Sequence, residues 1–142
     1  YTGYPATCTT ATMASMKKNL RYPGLTLRVL ARTRPAMGPG KAELLERILE
    51  CGSISGAARG MGMSYRRAWQ LVEAMNRDFA EPLVSTSTGG ARGGGAQVSA
   101  LGREALARFR RMELRSSAAI AAELSAYEAL LAKPTTRSKK GK

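Results

Sequence analysis

Between Ser64 and Phe79 the apolar residues Ala68, Val72, Met75 and Phe79 recur at spacings of four, three and four, which predicts a helix with one buried stripe. Tyr65, Arg66, Arg67, Trp69, Gln70 and Glu73 fall mostly outside that stripe. Upstream, Leu44, Leu45, Ile48 and Leu49 predict a first helix over Pro39 to Cys51, with Cys51 closing its apolar pattern as a core thiol. Between the two lies a shorter helix. Ser55 is placed as its cap, because a serine oxygen satisfies free N–H groups at a helix start. Ala57 and Ala58 are small enough for close packing against a neighbouring helix. Gly60-Met61-Gly62-Met63 is expected to turn the chain, and Ser64 to cap the helix that follows.

After Phe79, Glu81-Pro82 stops the helix. Leu83 to Thr88 is short and β-prone, Gly89 to Gly95 is a glycine-rich loop holding Arg92, and Ala96 to Ser99 is a second short strand. Strand, flexible loop and strand make a hairpin. Directly after two helices, that hairpin is the wing of a winged helix-turn-helix. Arg92 would stand at its tip, in reach of a phosphate or a minor groove. A phosphate-cradling nucleotide loop is disfavoured, since the glycines match neither G-x-x-x-x-G-K-[ST] nor G-x-G-x-x-G. Leu25 to Leu30 alternates and is expected to add a strand to the wing sheet, with Pro35 to Gly40 a loop into the first helix.

Ser99 is placed as the cap of a long helix running from Ala100 toward Leu131. Leu101, Ala105, Phe109 and Met112 form one apolar set along it, and Ile120, Leu124, Tyr127 and Leu131 a second. One small domain cannot cover that much stripe, so a partner helix is implied; the alternative is that the helix folds back on its own domain. The expected fold is therefore mainly α with a small β wing: a winged helix-turn-helix followed by a long dimerisation helix.

The polar front of the helix from Ser64 to Phe79 suits a reader of base edges. Arginine bonds guanine bidentately, glutamine does the same for adenine, and the N-terminal end of such a helix enters the major groove. Tyr65, Arg66, Arg67 and Gln70 are the residues expected at base edges. Ser55, Arg59, Ser64 and Arg92 are expected at phosphates or on the wing. Trp69 is expected to brace the helix against the wing.

These segments resemble the molybdate-responsive ModE regulators and, more distantly, the LysR-type regulators. The likeness is carried by Gly52-Ser53-Ile54-Ser55 with Ala57-Ala58, by Gly62-Met63-Ser64-Tyr65, by Ala68-Trp69 and by Ala74-Met75-Asn76. It is most specific in Pro82-Leu83-Val84, Ser87-Thr88-Gly89-Gly90, and Gly93-Gly94-Gly95-Ala96 followed by Ser99 and Gly102. It covers about Leu25 to Arg111. The resemblance implies a DNA-binding domain that dimerises through flanking helices and reads DNA with the second helix of its motif. Full-length members of that family carry C-terminal molybdate-binding repeats. In this chain the residues after the wing look like one helix and a basic tail, so no molybdate, cofactor or other small-molecule effector is expected to bind.

Charge sharpens the organisation. The formal net charge is +13, yet residues 41–132 hold twelve basic against ten acidic side chains. Residues 1–40 hold six basic and no acidic ones, and residues 133–142 five and none. The excess therefore sits in the ends, which are either arms for phosphate or solvated tails. The expected division is a disordered or non-native extension over 1–24, the DNA-binding domain over 25–99, the dimerisation helix over 100–132 and a basic tail over 133–142. With no histidine and only Cys8 and Cys51 far apart, a Cys/His metal site and a histidine-based enzyme mechanism are disfavoured. The absence of a disulfide pattern, a secretory segment and a membrane-length apolar run suits a cytoplasmic protein. The expected function is sequence-specific transcriptional regulation by a homodimer on double-stranded DNA, with no membrane partner. Two alternatives remain at this level: a non-specific nucleoid-type DNA coat, and a winged-helix protein-interaction module.

Overall fold

The computed structural model describes residues 24–87 and 94–133. Its order is β1 (Val29–Ala31), β2 (Arg34–Met37), α1 (Pro39–Cys51), α2 (Ile54–Met61), α3 (Tyr65–Asp78), β3 (Val84–Ser87), β4 (Gly95–Val98) and α4 (Ala100–Glu128). Helices α1, α2 and α3 pack on one another, and β4 and α4 close over α1. The core draws Leu44, Leu45 and Ile48 from α1, Ile54, Ala57, Ala58 and Met61 from α2, and Ala68, Val72 and Met75 from α3. Leu83, Val84, Ala96 and Val98 join it from the wing, and Leu106 and Phe109 from α4. No polar or charged residue is buried among the described residues.

α1 spans Pro39 to Cys51 as its apolar spacing predicts. Leu49 lies on its exposed side, however, and the Cys51 thiol is half-buried rather than in the core. α2 is capped by Ser53, whose Oγ accepts from the Gly56 N–H at 3.0 Å, and not by Ser55. The extended backbone belongs to Ser53, so Ser55 falls inside the first turn, where its side chain is exposed. Gly60 and Met61 are likewise helical, and the turn is confined to Gly62 and Met63. Gly62 takes φ 65°, which lets its N–H bond the Ala58 and Arg59 carbonyls. α3 is capped by Ser64 as expected, with Arg67 N–H donating to Ser64 Oγ at 3.1 Å. Phe79 has left the helix and is only half-buried at its C-cap.

The N-terminal strand pairing differs from expectation. β1 does not join the wing sheet but pairs antiparallel with β2, in a hairpin of its own. Arg34 to Met37 is thus a strand and not part of a loop. A turn at Arg32, with φ 59°, brings the two strands together over a short stretch of chain. Such local closure costs little entropy. The wing is the separate antiparallel pair β3–β4, with Val84 opposite Val98 and Ser87 opposite Gly95. Its β4 strand is tied to the α1–α2 corner by Ala96 N–H donating to Gly52 O at 2.9 Å.

α4 begins where Ser99 caps it through the Gly102 N–H at 3.1 Å. Its buried side is Gly102, Leu106 and Phe109, whereas Leu101 and Ala105 are half-buried and Met112 is exposed. Gly102 sets this rotation. A Cβ built there would stand 2.5 Å from Leu83 O and 2.7 Å from Val98 Cγ1, so the bare glycine backbone is what fits against the wing root. Further on, Arg110 binds Glu46 of α1 and Glu113 of its own helix. Burial disfavours the Arg110 charge, but the bonds to Glu113 and Glu46 outweigh it and raise the guanidinium pKa. Ile120 and Leu124 are half-buried where Gly24 to Leu27 runs alongside them. α4 ends at Glu128, short of the expected Leu131, so Tyr127 in its last turn and Leu131 beyond it are both uncovered.

Candidate nucleic-acid interface

α3 turns Ala68, Val72 and Met75 fully into the core. On a 3.6-residue repeat the opposite side carries Arg66, Gln70, Glu73 and Arg77, and all four are exposed. Tyr65 and Arg67 flank this front at the N-terminal turn and are exposed too, Tyr65 by 52 %. The four residues expected at base edges therefore lie together on one uncovered helix end. Trp69 is half-buried against the core, and its ring lies 6.3 Å from that of Tyr65, tilted by 54°. It packs on the core and on Tyr65.

The residues expected at phosphates are more scattered. Ser64 is exposed at the start of α3, and its oxygen is engaged in the cap. Arg59 is exposed in the last turn of α2, and Ser55 in the first turn of the same helix. Arg92 lies outside the described residues.

Asn76 carries more of the architecture than its place in the sequence suggests. Its Oδ1 accepts from the Leu83 N–H at 2.8 Å and the Val84 N–H at 3.0 Å. Its Nδ2 donates to Val84 O at 3.0 Å. One side chain thereby fixes the first residues of the wing to the reader helix. Ser99 completes the root: its Oγ donates to Pro82 O at 2.7 Å, and its N–H donates to Leu83 O at 2.8 Å. Both residues stand in the segments that carry the family likeness, but no periodicity or spacing marks Asn76 as the joint between helix and wing.

Three further cations, absent from the sequence-based site, gather beside α3. Arg34 donates to Asp78 at 3.2 Å, Arg77 Nε lies 3.8 Å from the same carboxylate, and Lys41 Nζ donates to Pro35 O at 2.6 Å. They come from β2, α3 and α1, so no local motif announces them. Among the described residues no group of three His, Cys, Asp or Glu side chains is placed to hold a metal ion. Nor is any helix there long and apolar enough to cross a membrane.

Residues 40–103 match the family described as the bacterial regulatory helix-turn-helix protein, lysR family. Curated proteins similar to the chain include a molybdenum-pterin-binding protein and two ModE proteins. The molybdenum-pterin-binding protein MopB of Rhodobacter capsulatus is 42 % identical over 100 residues, covering 70 % of this chain and 36 % of MopB. The molybdenum transport protein ModE of Azotobacter vinelandii is 38 % identical over 85 residues, 60 % of this chain and 32 % of that protein. The DNA-binding transcriptional dual regulator ModE of Escherichia coli K12 is 40 % identical over 65 residues, 46 % of this chain and 25 % of that regulator. The chain thus spans about a third of the length of the first two relatives and a quarter of the third. Among solved structures, the full-length regulator LysG of Corynebacterium glutamicum with bound effector Arg is 27 % identical, with a TM-score of 0.46 over 67 % of this chain and 30 % of LysG. The matched residues coincide with α1, α2, α3, the strands β3 and β4 and the start of α4, and the elements described above are those of a winged helix-turn-helix.

Proposed function

We propose that this chain is a sequence-specific, double-stranded-DNA-binding transcriptional regulator acting as a homodimer. One observation carries the reading. The α3 front of Tyr65, Arg66, Arg67 and Gln70 is uncovered, while the back of the same helix is fully buried. A rigid helix that presents arginine and glutamine at its N-terminal end fits the major groove, where those side chains distinguish guanine and adenine. Arg59, Ser55 and Ser64 stand near helix ends and are assigned to phosphates, as is Arg92 of the glycine-rich segment.

Dimerisation is assigned to α4 and the turn that follows it. Leu114, Tyr127, Leu130 and Leu131 are each more than half exposed in the single chain, and a second copy would cover them. Two-fold pairing then implies an inverted-repeat operator with half-site centres one helical turn, or a multiple, apart. No oxyanion pocket is assigned, because residues 100–128 are one continuous helix. The relatives' molybdenum-related functions are therefore not carried over.

Selection of randomised oligonucleotides on the purified chain tests the reading. One enriched motif is expected. Uniform recovery would point to a non-specific DNA coat, and no recovery to a protein-interaction module. On the enriched site, Arg66→Ala or Arg67→Ala should each cost about 1–3 kcal/mol, and far less on random duplex. Equal losses on both duplexes would reduce these arginines to backbone contacts.

A further inference from the structure

The reader helix has two flanks, and they are occupied differently. On one flank Asn76 holds the root of the wing. On the other stand Arg67 and, about three turns further along, Asp78, with β2 and the first turn of α1 beside them. Here the cations gather. Asp78 is nearly enclosed, its side chain 6 % exposed, under Arg34 and Arg77, whose side chains are each 58 % exposed. The carboxylate therefore anchors two guanidiniums and presents little negative charge of its own. Lys41 is held against β2 by the Pro35 carbonyl and lies within the field of all of them. Its pKa is lowered, first by burial and then by Arg77, Arg34 and Arg67, with Asp78 acting in the opposite sense.

Arg34, Lys41 and Arg77 against one carboxylate leave a local charge of +2, and Arg67 adds to the field at Lys41. These side chains come from three elements and converge beside one exposed helix front. A helix lying in a major groove has a phosphate backbone on each side of it. The wing is placed to meet one of those backbones.

We infer that Arg34, Lys41 and Arg77 form a second phosphate clamp, gripping the DNA backbone on the side of the reader helix opposite the wing. The inference rests on the DNA-binding reading above and adds to it a contact surface built from β2 and α1. The clamp positions and carries no base preference. Asp78 gives it geometry by fixing Arg34 and Arg77, and a phosphate relieves the mutual repulsion of the cluster.

The test is the salt dependence of binding to a random-sequence 30-base-pair duplex and to the selected operator. Removing one cation from a phosphate makes the slope of log affinity against log salt shallower by about 0.9. The double variant Lys41→Gln/Arg77→Gln keeps the Arg34–Asp78 pair and should flatten the slope by about 1.8. The triple variant with Arg34→Gln should flatten it by about 2.7. The ratio of operator to random affinity should stay within about twofold of wild type, because phosphate contacts carry no sequence information. Arg111→Gln/Arg115→Gln on α4 removes the same charge as the double variant from a different element and should leave the slope nearly unchanged. A wild-type slope in the double variant, or an equal change in the α4 control, overturns the clamp while leaving the reader intact. A wild-type chain that binds neither duplex overturns the DNA-binding reading, and the clamp with it.

Discussion

Gly102→Ala and Gly60→Ala are the same chemical change in two helices, and the structure gives them opposite signs. Alanine is favoured over glycine inside a helix by about 1 kcal/mol. At Gly60 the nearest atoms to a new Cβ belong to the flexible Arg47 side chain, at 3.7 Å, an ordinary contact that leaves the helix gain intact. Gly60→Ala should therefore stabilise the chain by up to about 1 kcal/mol. At Gly102 the new Cβ would stand 2.5 Å from Leu83 O and 2.7 Å from Val98 Cγ1. Leu83 O cannot simply retreat, because it accepts from the Ser99 N–H at 2.8 Å, and Ser99 also holds Pro82 O. Forcing an extra carbon into such a site costs about 1–3 kcal/mol, and a backbone oxygen as the opposing atom places it at the upper end. After the helix gain is subtracted, Gly102→Ala should destabilise by about 1–2 kcal/mol. Urea unfolding of the two variants beside wild type, analysed with a common slope, should separate them by about 1–3 kcal/mol. Gly102→Ala as stable as wild type, or both variants stabilised alike, would refute the claim that α4 is seated by the missing side chain at 102.

Three other outcomes are expected. Asn76→Ala removes the acceptor from two backbone N–H groups and should cost about 1–3 kcal/mol. Amide exchange at Leu83 and Val84 should quicken with it, and unchanged exchange would deny Asn76 its role at the wing root. Tyr127→Glu with Leu131→Glu places charges on the uncovered last turn of α4 and the turn after it, while leaving Leu124 against the N-terminal segment, and should yield monomers in sedimentation; a wild-type chain that is itself monomeric at micromolar concentration would sink the dimer. Folded Lys41 binds its proton less readily than the unfolded chain's lysine, because burial and then Arg77, Arg34 and Arg67 lower its pKa against the opposing pull of Asp78. The unfolded state thus carries more protons as pH approaches 10.5, and this group's contribution to stability rises with pH there. The stability of wild type relative to Lys41→Gln should accordingly grow between neutral pH and 10.5, and a pH-independent difference would contradict the assignment.

Much of this protein was legible in its chain. The 3.6-residue spacing of Ala68, Val72 and Met75, the serine before each of α3 and α4, and Pro82 ahead of the glycine-rich loop determine which segments are helix, turn and wing. These are local signals, because helix caps and apolar stripes act within a few residues. The exposed front of α3 follows from the same periodicity, since whatever lies opposite a buried stripe faces out. Local spacing did not decide the cap of α2, where Ser53 and Ser55 are equally good residues and only the backbone angle selects Ser53. Nor did it decide the partner of β1, since an alternating segment records that it has two faces but not which strand it will meet. The rotation of α4 escaped for a related reason: a hydrophobic count scores side chains, whereas the contact that seats the helix is made at Gly102, which has none. The gathering of Arg34 and Arg77 on Asp78, with Lys41 beside them, belongs to the tertiary structure alone. Electrostatic potential depends on distance in space, and only folding brings β2, the start of α1 and the length of α3 to one flank of the reader helix.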